Sequence, residues 1–211
     1  MTQKIKVIFF TRNTGKLFEF KRYFEGLTDL FEVISLDDIS DNIPDCIETG
    51  DTFEDNAKIK IGHIRNFLSP KYREYVVIAD DSGMTIDALN GEPGVHTRRW
   101  SGHEMKDQEI IDYCLSRLSN IKNRNASYVS CFAIYTNTNG IKIIKDESRG
   151  TILKKEYRPS TLSGMPFRSL FYIPELEMMF HEARELSEAK RKGYRIGHSE
   201  AIKKIIDYLT P

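Results

Sequence analysis

The sequence predicts an α/β fold with a mixed central sheet and flanking helices. Short apolar runs suited to strands alternate with segments in which apolar residues recur at helical spacing. Two further runs, at 128–135 and 141–145, flank Asn139-Gly140, a dipeptide typical of tight β-turns. Such a hairpin adds antiparallel pairing to the parallel pairing that alternating strands and helices favour, so we expect the sheet to be mixed.

The N-terminal elements follow a strand, loop and helix pattern. The apolar run 4–10 fits a buried strand, and Leu17, Phe20 and Phe24 then recur at the spacing of one helix face. A second strand is predicted at 31–36, and an acidic loop follows it.

The middle of the chain predicts a capped helix followed by a central strand. Thr52 is placed to cap a helix whose apolar stripe contains Phe53, Ala57, Ile64 and Leu68. The run 75–79 is almost continuously apolar, as expected for a strand covered on both faces, and it ends at Asp80 and Asp81. A helix near 110–118 and a last helix around 201–209 complete the predicted elements.

Length, charge and cysteine content narrow the class of protein. The chain has 211 residues and no internal repeat or linker, so one domain over 1–211 is expected. With 31 basic and 31 acidic residues, no net field favours nucleic acid or an anionic membrane as a partner. We expect neither a signal peptide nor a transmembrane segment. Three dispersed cysteines suggest neither disulfides nor a zinc knuckle, and a reducing cytoplasm is the expected location.

The loop T-R-N-T-G-K at 11–16 joins a predicted strand to a predicted helix. Free backbone N–H groups and the helix dipole favour phosphate at such a position. The loop is not a P-loop, because Phe10 replaces its first glycine and Leu17 replaces its Ser/Thr. Two interpretations remain open, a phosphate-binding loop and an ordinary turn with a solvated lysine.

Three carboxylates form the best candidate for a metal site. Mg²⁺ prefers a few carboxylate oxygens together with water and substrate phosphates, and Glu48, Asp80 and Asp81 supply such oxygens. The alternatives are an Asp-Asp-Ser-Gly turn and a solvated glutamate.

Lys60 lies on the inward stripe of the predicted helix, and Asn56 shares that side four residues earlier. A lysine there either extends from the edge of the stripe to solvent or points into a cleft. The basic run 190–192 is interpreted as a solvated face rather than a nucleic-acid patch.

Taken together, these segments resemble, in order, the inosine triphosphatase (Ham1-like) family of non-standard purine nucleoside triphosphate pyrophosphatases. The loop 11–16 resembles the family's T-x-N-x-x-K, and 48–60 resembles its E-T-G-x-T-F-x-E-N-A-x-x-K. The stretch A-D-D-S-G-M at 79–84, with D-A-L-N-G at 87–91 and P-G-V at 93–95, resembles its most specific signature.

The resemblance implies an elongated two-lobed fold with a deep cleft between the lobes, a homodimer, and Mg²⁺ dependence with Mn²⁺ as the alternative ion. It implies that Lys16 and Lys60 hold the triphosphate, that Glu48, Asp80 and Asp81 serve the metal, and that Asp81 positions or deprotonates the attacking water. The implied function is hydrolysis of the nucleotide to a monophosphate and pyrophosphate, which removes non-standard nucleotides from the pool. The remaining implied substrate contacts are Thr11, Arg12, Asn13, Ser82, Phe167, Arg168, His198 and Ser199.

The chain departs from the family pattern where the base is read. Arg168 replaces an aspartate of the family's G-F-G-Y-D-P-I-F segment. In the K-x-x-x-S-H-R segment His198 is kept, but Gly197 and Ser199 replace Ser and Arg, and Gly193 replaces Lys. Lys192 and Arg195 are the candidates to replace that lysine. These departures predict an altered base preference, and the rival hypothesis is a nucleotide-binding module without turnover.

Overall fold

The computed structural model describes residues 4–157 and 164–210. Within these ranges seven strands form one sheet in the order β2-β1-β3-β4-β5-β6-β7. The strands are β1 (Ile5–Phe10), β2 (Phe31–Ile34), β3 (Val76–Ile86), β4 (Asn125–Thr136), β5 (Gly140–Ile152), β6 (Phe171–Ile173) and β7 (Met178–Met179). The helices are α1 (Thr14–Phe24), α2 (Phe53–Phe67), α3 (Asp107–Arg117), α4 (Phe180–Ala183) and α5 (Gly197–Leu209).

Both strand orientations are present, which confirms the predicted mixed sheet. Strand β1 pairs in parallel with β2 and with β3, whereas β6 pairs antiparallel with β5 and β7. The last four residues of β1 are all buried, as expected for a parallel strand covered on both faces. At its end Phe10 pairs with Ala79 of β3.

The helices of the N-terminal half begin at side-chain caps. The Asn13 side chain accepts a hydrogen bond from the backbone N–H of Lys16 at 3.1 Å and caps α1. Thr52 accepts from the backbone N–H of Asp55 at 3.1 Å and caps α2, as predicted. Phe20 of α1 stacks on Phe9 of β1 with ring centroids 3.9 Å apart, which fixes α1 against the sheet.

The chain divides into two compact units. The first unit comprises Met1–Asp81, Cys131–Lys145 and Ala201–Pro211, and the second comprises Ser82–Ser130 and Asp146–Glu200. The first unit has two apolar clusters among the described residues. One includes Phe9 and Phe20, and the other includes Ile61 and Ile64. The second unit has its own cluster, which includes Ile110, Leu118 and Phe171. The elongated shape and the cleft implied by the resemblance stay predictions.

The sequence-based prediction for the strand before Asp80 was wrong in its end point. Strand β3 does not stop at Ala79 but continues through Asp80 and Asp81 to Ile86. The polar D-D-S-G stretch is followed by Met84 and Ile86, which are fully buried and continue the strand into the core of the second unit. The two aspartates therefore lie within β3, a strand that has β1 and β4 as its neighbours in the sheet.

Two smaller features differ from the sequence-based predictions. The second strand ends at Ile34, because a 3₁₀ turn covers Leu36–Asp38. The predicted solvated run 190–192 is not uniformly solvated, since Arg191 is buried and donates to the carbonyl of Arg184. No helix among the described residues has the length and apolar character needed to cross a bilayer.

Candidate active site

Sheet register brings the loop after β1 beside the aspartates of β3. Because Phe10 pairs in parallel with Ala79, the residues that follow each of them lie at the same level of the sheet. Helix α1 starts at Thr14, so Lys16 stands in its first turn, close to Asp80 and Asp81. This is the edge at which ligands bind in parallel α/β sheets.

Lys16 forms an ion pair with the first aspartate. Its Nζ lies 2.7 Å from Asp80 Oδ2, and the Asp80 side chain is only 3% exposed. Burial lowers the pKa of Lys16, but the charges of Asp80, Asp81 and Glu48 and the hydrogen bond to Asp80 outweigh it, so the pKa is raised overall. Lys16 is therefore held as an ammonium ion in a largely enclosed position.

Lys60 connects the other carboxylates of the site. Its Nζ lies 2.9 Å from Glu48 Oε2, 2.9 Å from the backbone carbonyl of Asp80 and 3.5 Å from Asp81 Oδ1. The Lys60 side chain is 13% exposed. Lys60 therefore does not extend to solvent but points inward to acidic partners, and the cleft stays a prediction.

Asn56 also belongs to the cluster, although the sequence did not predict it as a site residue. Its Nδ2 donates to Asp81 Oδ2 at 3.0 Å, and its Oδ1 accepts from the backbone N–H of Gly50 at 2.8 Å. The sequence signal was its position one turn before Lys60 on the same helix face. Burial raises the pKa of Asp81, against the opposing charges of Lys60 and Lys16.

The predicted phosphate loop has its own internal bonds. Thr11 Oγ1 accepts from the backbone N–H of Asn13 at 3.1 Å. Arg12 points toward the acidic loop, with Nε 2.7 Å from Asp45 Oδ1 and Nη2 2.5 Å from the carbonyl of Ile43. The loop thus places Arg12 and Lys16 on different carboxylates.

The acid–lysine cluster offers oxygen ligands to a metal ion. In the parts of the chain that the structure describes, no three His, Cys, Asp or Glu side chains are arranged to ligate a metal. The carboxylates of Glu48, Asp80 and Asp81 nevertheless have the oxygen chemistry that Mg²⁺ prefers. In this conformation lysine ammonium groups take up that negative charge, so the chemistry fits Mg²⁺ while the arrangement is that of a lysine-paired state.

The predicted base-reading residues lie in the second unit, as does Ser82. Phe167 packs in the core cluster, with its ring centroid 6.4 Å from that of Trp100. His198 is buried and its Nδ1 is hydrogen bonded to Ser130 Oγ at 3.0 Å, and Ser199 is buried beside it in sequence. Arg168 is half-buried, and its carbonyl is hydrogen bonded to His181.

The segment before His198 differs from the family pattern for a steric reason. A β-carbon at Gly197 would overlap the backbone of Glu147 on β5, so the serine of the family pattern does not fit this backbone. The Gly197 N–H instead donates to Ser148 Oγ at 2.8 Å. Of the candidates for the missing lysine, Lys192 is exposed in a left-handed turn, and Arg195 is paired with Asp146 at 2.8 Å.

Comparison with known proteins places the chain in a family. The model of the Ham1 family matches residues 7–207. A dITP/XTP pyrophosphatase of Exiguobacterium is 33% identical over 209 residues, which cover 98% of this chain and 98% of the relative. A dITP/XTP pyrophosphatase of Leuconostoc mesenteroides is 32% identical over 193 residues, with 90% and 92% covered.

Solved structures show the same fold. A HAM1 protein from Coxiella burnetii matches with a TM-score of 0.74 and 29% identity, covering 98% of each chain. The Staphylococcus aureus Ham1 protein matches with a TM-score of 0.73 and 28% identity, covering 97% of this chain and 98% of its own.

Proposed function

Because the chain belongs to the Ham1 family, we propose that it is a nucleoside triphosphate pyrophosphohydrolase that acts on non-standard purine nucleotides. Relatives that match nearly the whole chain are named dITP/XTP pyrophosphatases. The observation that carries the proposal is the acid–lysine cluster, in which Lys16 and Lys60 contact the carboxylates of Asp80, Glu48 and Asp81.

The proposed reaction is attack of water on the α-phosphorus. The new bond joins the water oxygen to that phosphorus, and the bond from the α-phosphorus to the bridging oxygen of the β-phosphate breaks. The products are the nucleoside monophosphate and pyrophosphate. Such a transfer needs positioning and charge neutralisation more than covalent chemistry, and a cluster of fixed charges meets both needs.

The two lysines are proposed to bind the triphosphate by exchanging partners. Each ammonium now contacts a carboxylate at 2.7–2.9 Å. If phosphate oxygens of the triphosphate replaced the carboxylates around Lys16 and Lys60, the carboxylates of Glu48, Asp80 and Asp81 would be free to hold the metal. No charge in the cluster is then left without a counter-charge, which matters because an unpaired buried charge is costly.

The proposed cofactor is Mg²⁺, with Mn²⁺ as the alternative. When bound, such an ion supplies charge neutralisation on the phosphate oxygens. Asp81 is proposed to hold the attacking water and to take its proton at a carboxylate oxygen. The amide of Asn56 occupies Oδ2, which leaves Oδ1 of Asp81 as the oxygen on the Lys60 side.

The alternative proposal is the same hydrolysis with an altered or relaxed base preference. Arg168 brings a guanidinium, which only donates hydrogen bonds, to a position where the pattern has an acceptor. Gly197 removes a hydroxyl that this backbone has no room for. This alternative predicts comparable rates on inosine, xanthosine and common triphosphates, and a strong preference for inosine triphosphate would contradict it.

One assay tests the proposal as a whole. Purified protein is given a panel of nucleoside triphosphates with and without Mg²⁺, and pyrophosphate and orthophosphate are measured separately. We expect Mg²⁺-dependent release of pyrophosphate that Asp81→Asn abolishes. Binding without release from any nucleotide would favour the nucleotide-binding module, and release of orthophosphate would mean attack at another phosphorus.

The resemblance also supports three proposals about the setting. We propose that the protein is a homodimer, that it works in the cytoplasm, and that it clears non-standard nucleotides from the precursor pool. Analytical ultracentrifugation of the purified protein tests the homodimer, and a measured mass equal to that of the monomer would contradict it.

A further inference from the structure

Asn56 is a buried amide that spans two parts of the acid–lysine cluster. It is only 2% exposed, on α2 one turn before Lys60. Its Nδ2 donates to Asp81 Oδ2, and its Oδ1 accepts from the Gly50 N–H, two residues after Glu48. One side chain therefore joins the strand that carries Asp81 to the loop that carries Glu48.

The loop is shaped for this bond. A β-carbon at Gly50 would lie 2.8 Å from Asn56 Oδ1 and 2.6 Å from the β-carbon of Asp55. Any larger residue at 50 would therefore push the loop away from α2 and break the bond to Asn56. This close approach fixes the orientation of the Asn56 amide. Because the Gly50 N–H bonds to the amide oxygen, the amide nitrogen is the end that faces Asp81.

The donor end faces the carboxylate, and this orients Asp81. A carboxylate has two equivalent oxygens and turns freely about its last side-chain bond, so one fixed donor to Oδ2 decides where Oδ1 points. Here Oδ1 points toward Lys60, at 3.5 Å. An amide does this without adding charge, so it does not compete with lysine or metal for the negative charge of Asp81.

We propose that Asn56 is a positioning residue for Asp81. It holds that carboxylate so that Oδ1 faces the reacting water and the metal. The proposal rests on the proposed function, in which Asp81 acts on the water. The proposal adds Asn56 to the residues that serve the reaction, and it assigns the Gly50 N–H the role of orienting the Asn56 amide.

The test separates the two ends of the amide. Asn56→Asp keeps the volume and the acceptor for Gly50 but replaces the donor to Asp81 with an oxygen, whereas Asn56→Ala removes both bonds. Asn66→Ala, at an exposed position of the same helix, is the matched control. We expect both variants at 56 to lower kcat by about 10- to 100-fold with KM changed by less than about threefold, and the control to keep both constants.

A double-mutant cycle excludes a merely structural role. If Asn56 acts through Asp81, then Asn56→Ala should cost little further rate in protein that already carries Asp81→Asn. Equal fractional losses in both backgrounds, a loss confined to KM, or a wild-type kcat in Asn56→Asp would overturn the proposal. If Asn56→Ala fails to fold, Asn56→Asp decides, and its melting temperature is measured beside its kcat. Absence of pyrophosphate release from the unmodified protein would instead contradict the proposed function.

Discussion

The ammonium of Lys16 lies 2.7 Å from Oδ2 of Asp80, and it reaches that carboxylate because Phe10 pairs with Ala79 one residue before the aspartate. An ion pair at such a site occupies groups that substrate and metal are expected to need. The pair therefore predicts how the two ligands affect each other and what its removal does.

Lys16→Met is expected to weaken triphosphate binding and to strengthen metal binding without nucleotide. The variant loses a cation for phosphate, so KM for the nucleotide should rise about 10-fold or more. It also frees the Asp80 carboxylate, so Mn²⁺ alone should bind several-fold more tightly, as measured by electron paramagnetic resonance titration. Lys21→Met, on the same helix with an exposed partner at 3.9 Å, should change neither value. An unchanged KM in Lys16→Met would contradict the proposed partner exchange.

Metal and triphosphate are expected to bind interdependently in the unmodified protein. Metal alone must compete with the lysines that already neutralise the carboxylates of Asp80, Glu48 and Asp81, whereas with triphosphate present those lysines can contact phosphate instead. Mn²⁺ affinity should therefore rise at least about 10-fold when a non-hydrolysable triphosphate with a carbon or nitrogen bridge between α and β is added. Equal Mn²⁺ affinities with and without the analogue would count against this coupling.

Arg168→Asp is expected to narrow base preference. The substitution replaces a pure donor by an acceptor for the ring N–H of inosine or xanthosine bases. We expect the ratio of kcat/KM for inosine triphosphate to that for ATP to rise several-fold, while the rate on the better substrate keeps its Mg²⁺ dependence. An unchanged ratio would mean that Arg168 does not read the base.

The three thiols are expected to differ in reactivity. Burial raises the pKa of Cys114 to about 12 and that of Cys131 to about 11, while Cys46 is only half-buried. A raised pKa keeps the unreactive thiol form as pH increases, so Cys114 and Cys131 should stay un-ionised at pH 8. Iodoacetamide at pH 8 should label Cys46 first, and the other two only after unfolding, as read by mass spectrometry. Early labelling of Cys114 would contradict its buried position.

Arg124 is expected to be a structural residue of the second unit. Its buried guanidinium donates to three backbone carbonyls, those of Leu118, Ile152 and Leu153, at 2.6–2.7 Å. Arg124→Met leaves these acceptors without donors and should cost about 2–4 kcal/mol in the free energy of unfolding, measured in urea. Lys122→Met, at an exposed position nearby, should cost less than about 0.5 kcal/mol. If Arg124→Met also lowered the free energy of unfolding by less than about 0.5 kcal/mol, the three carbonyls would have found other donors.

Local signals predicted the part of the fold that depends on neighbours in sequence. Thr52 and the apolar stripe of α2 predicted the start and the inward face of that helix, and Asn139-Gly140 predicted the hairpin turn. These features succeed because a cap, a stripe or a tight turn is stabilised within a few residues.

Features that depend on distant residues were not predictable in the same way. The buried Met84 and Ile86 carry β3 through its polar stretch, and their burial depends on the core of the second unit. Arg191 is buried although its neighbours in the sequence are basic. The bond from Gly50 to Asn56 needs a close approach between a loop and a helix, which a linear pattern records only as a glycine and an asparagine six residues apart.

Because Phe10 pairs with Ala79, the loop from Phe10 to Lys16 must keep its length for Lys16 to reach Asp80. An inserted residue there would turn α1 by about 100° and carry the ammonium away from Asp80. The turn between β4 and β5, by contrast, is exposed at Thr138 and Asn139 and joins two strands that are neighbours in the sheet. Labels or affinity tags for this protein belong in that turn, and lineages of the family should vary in length there while keeping the spacing from Phe10 to Lys16 constant.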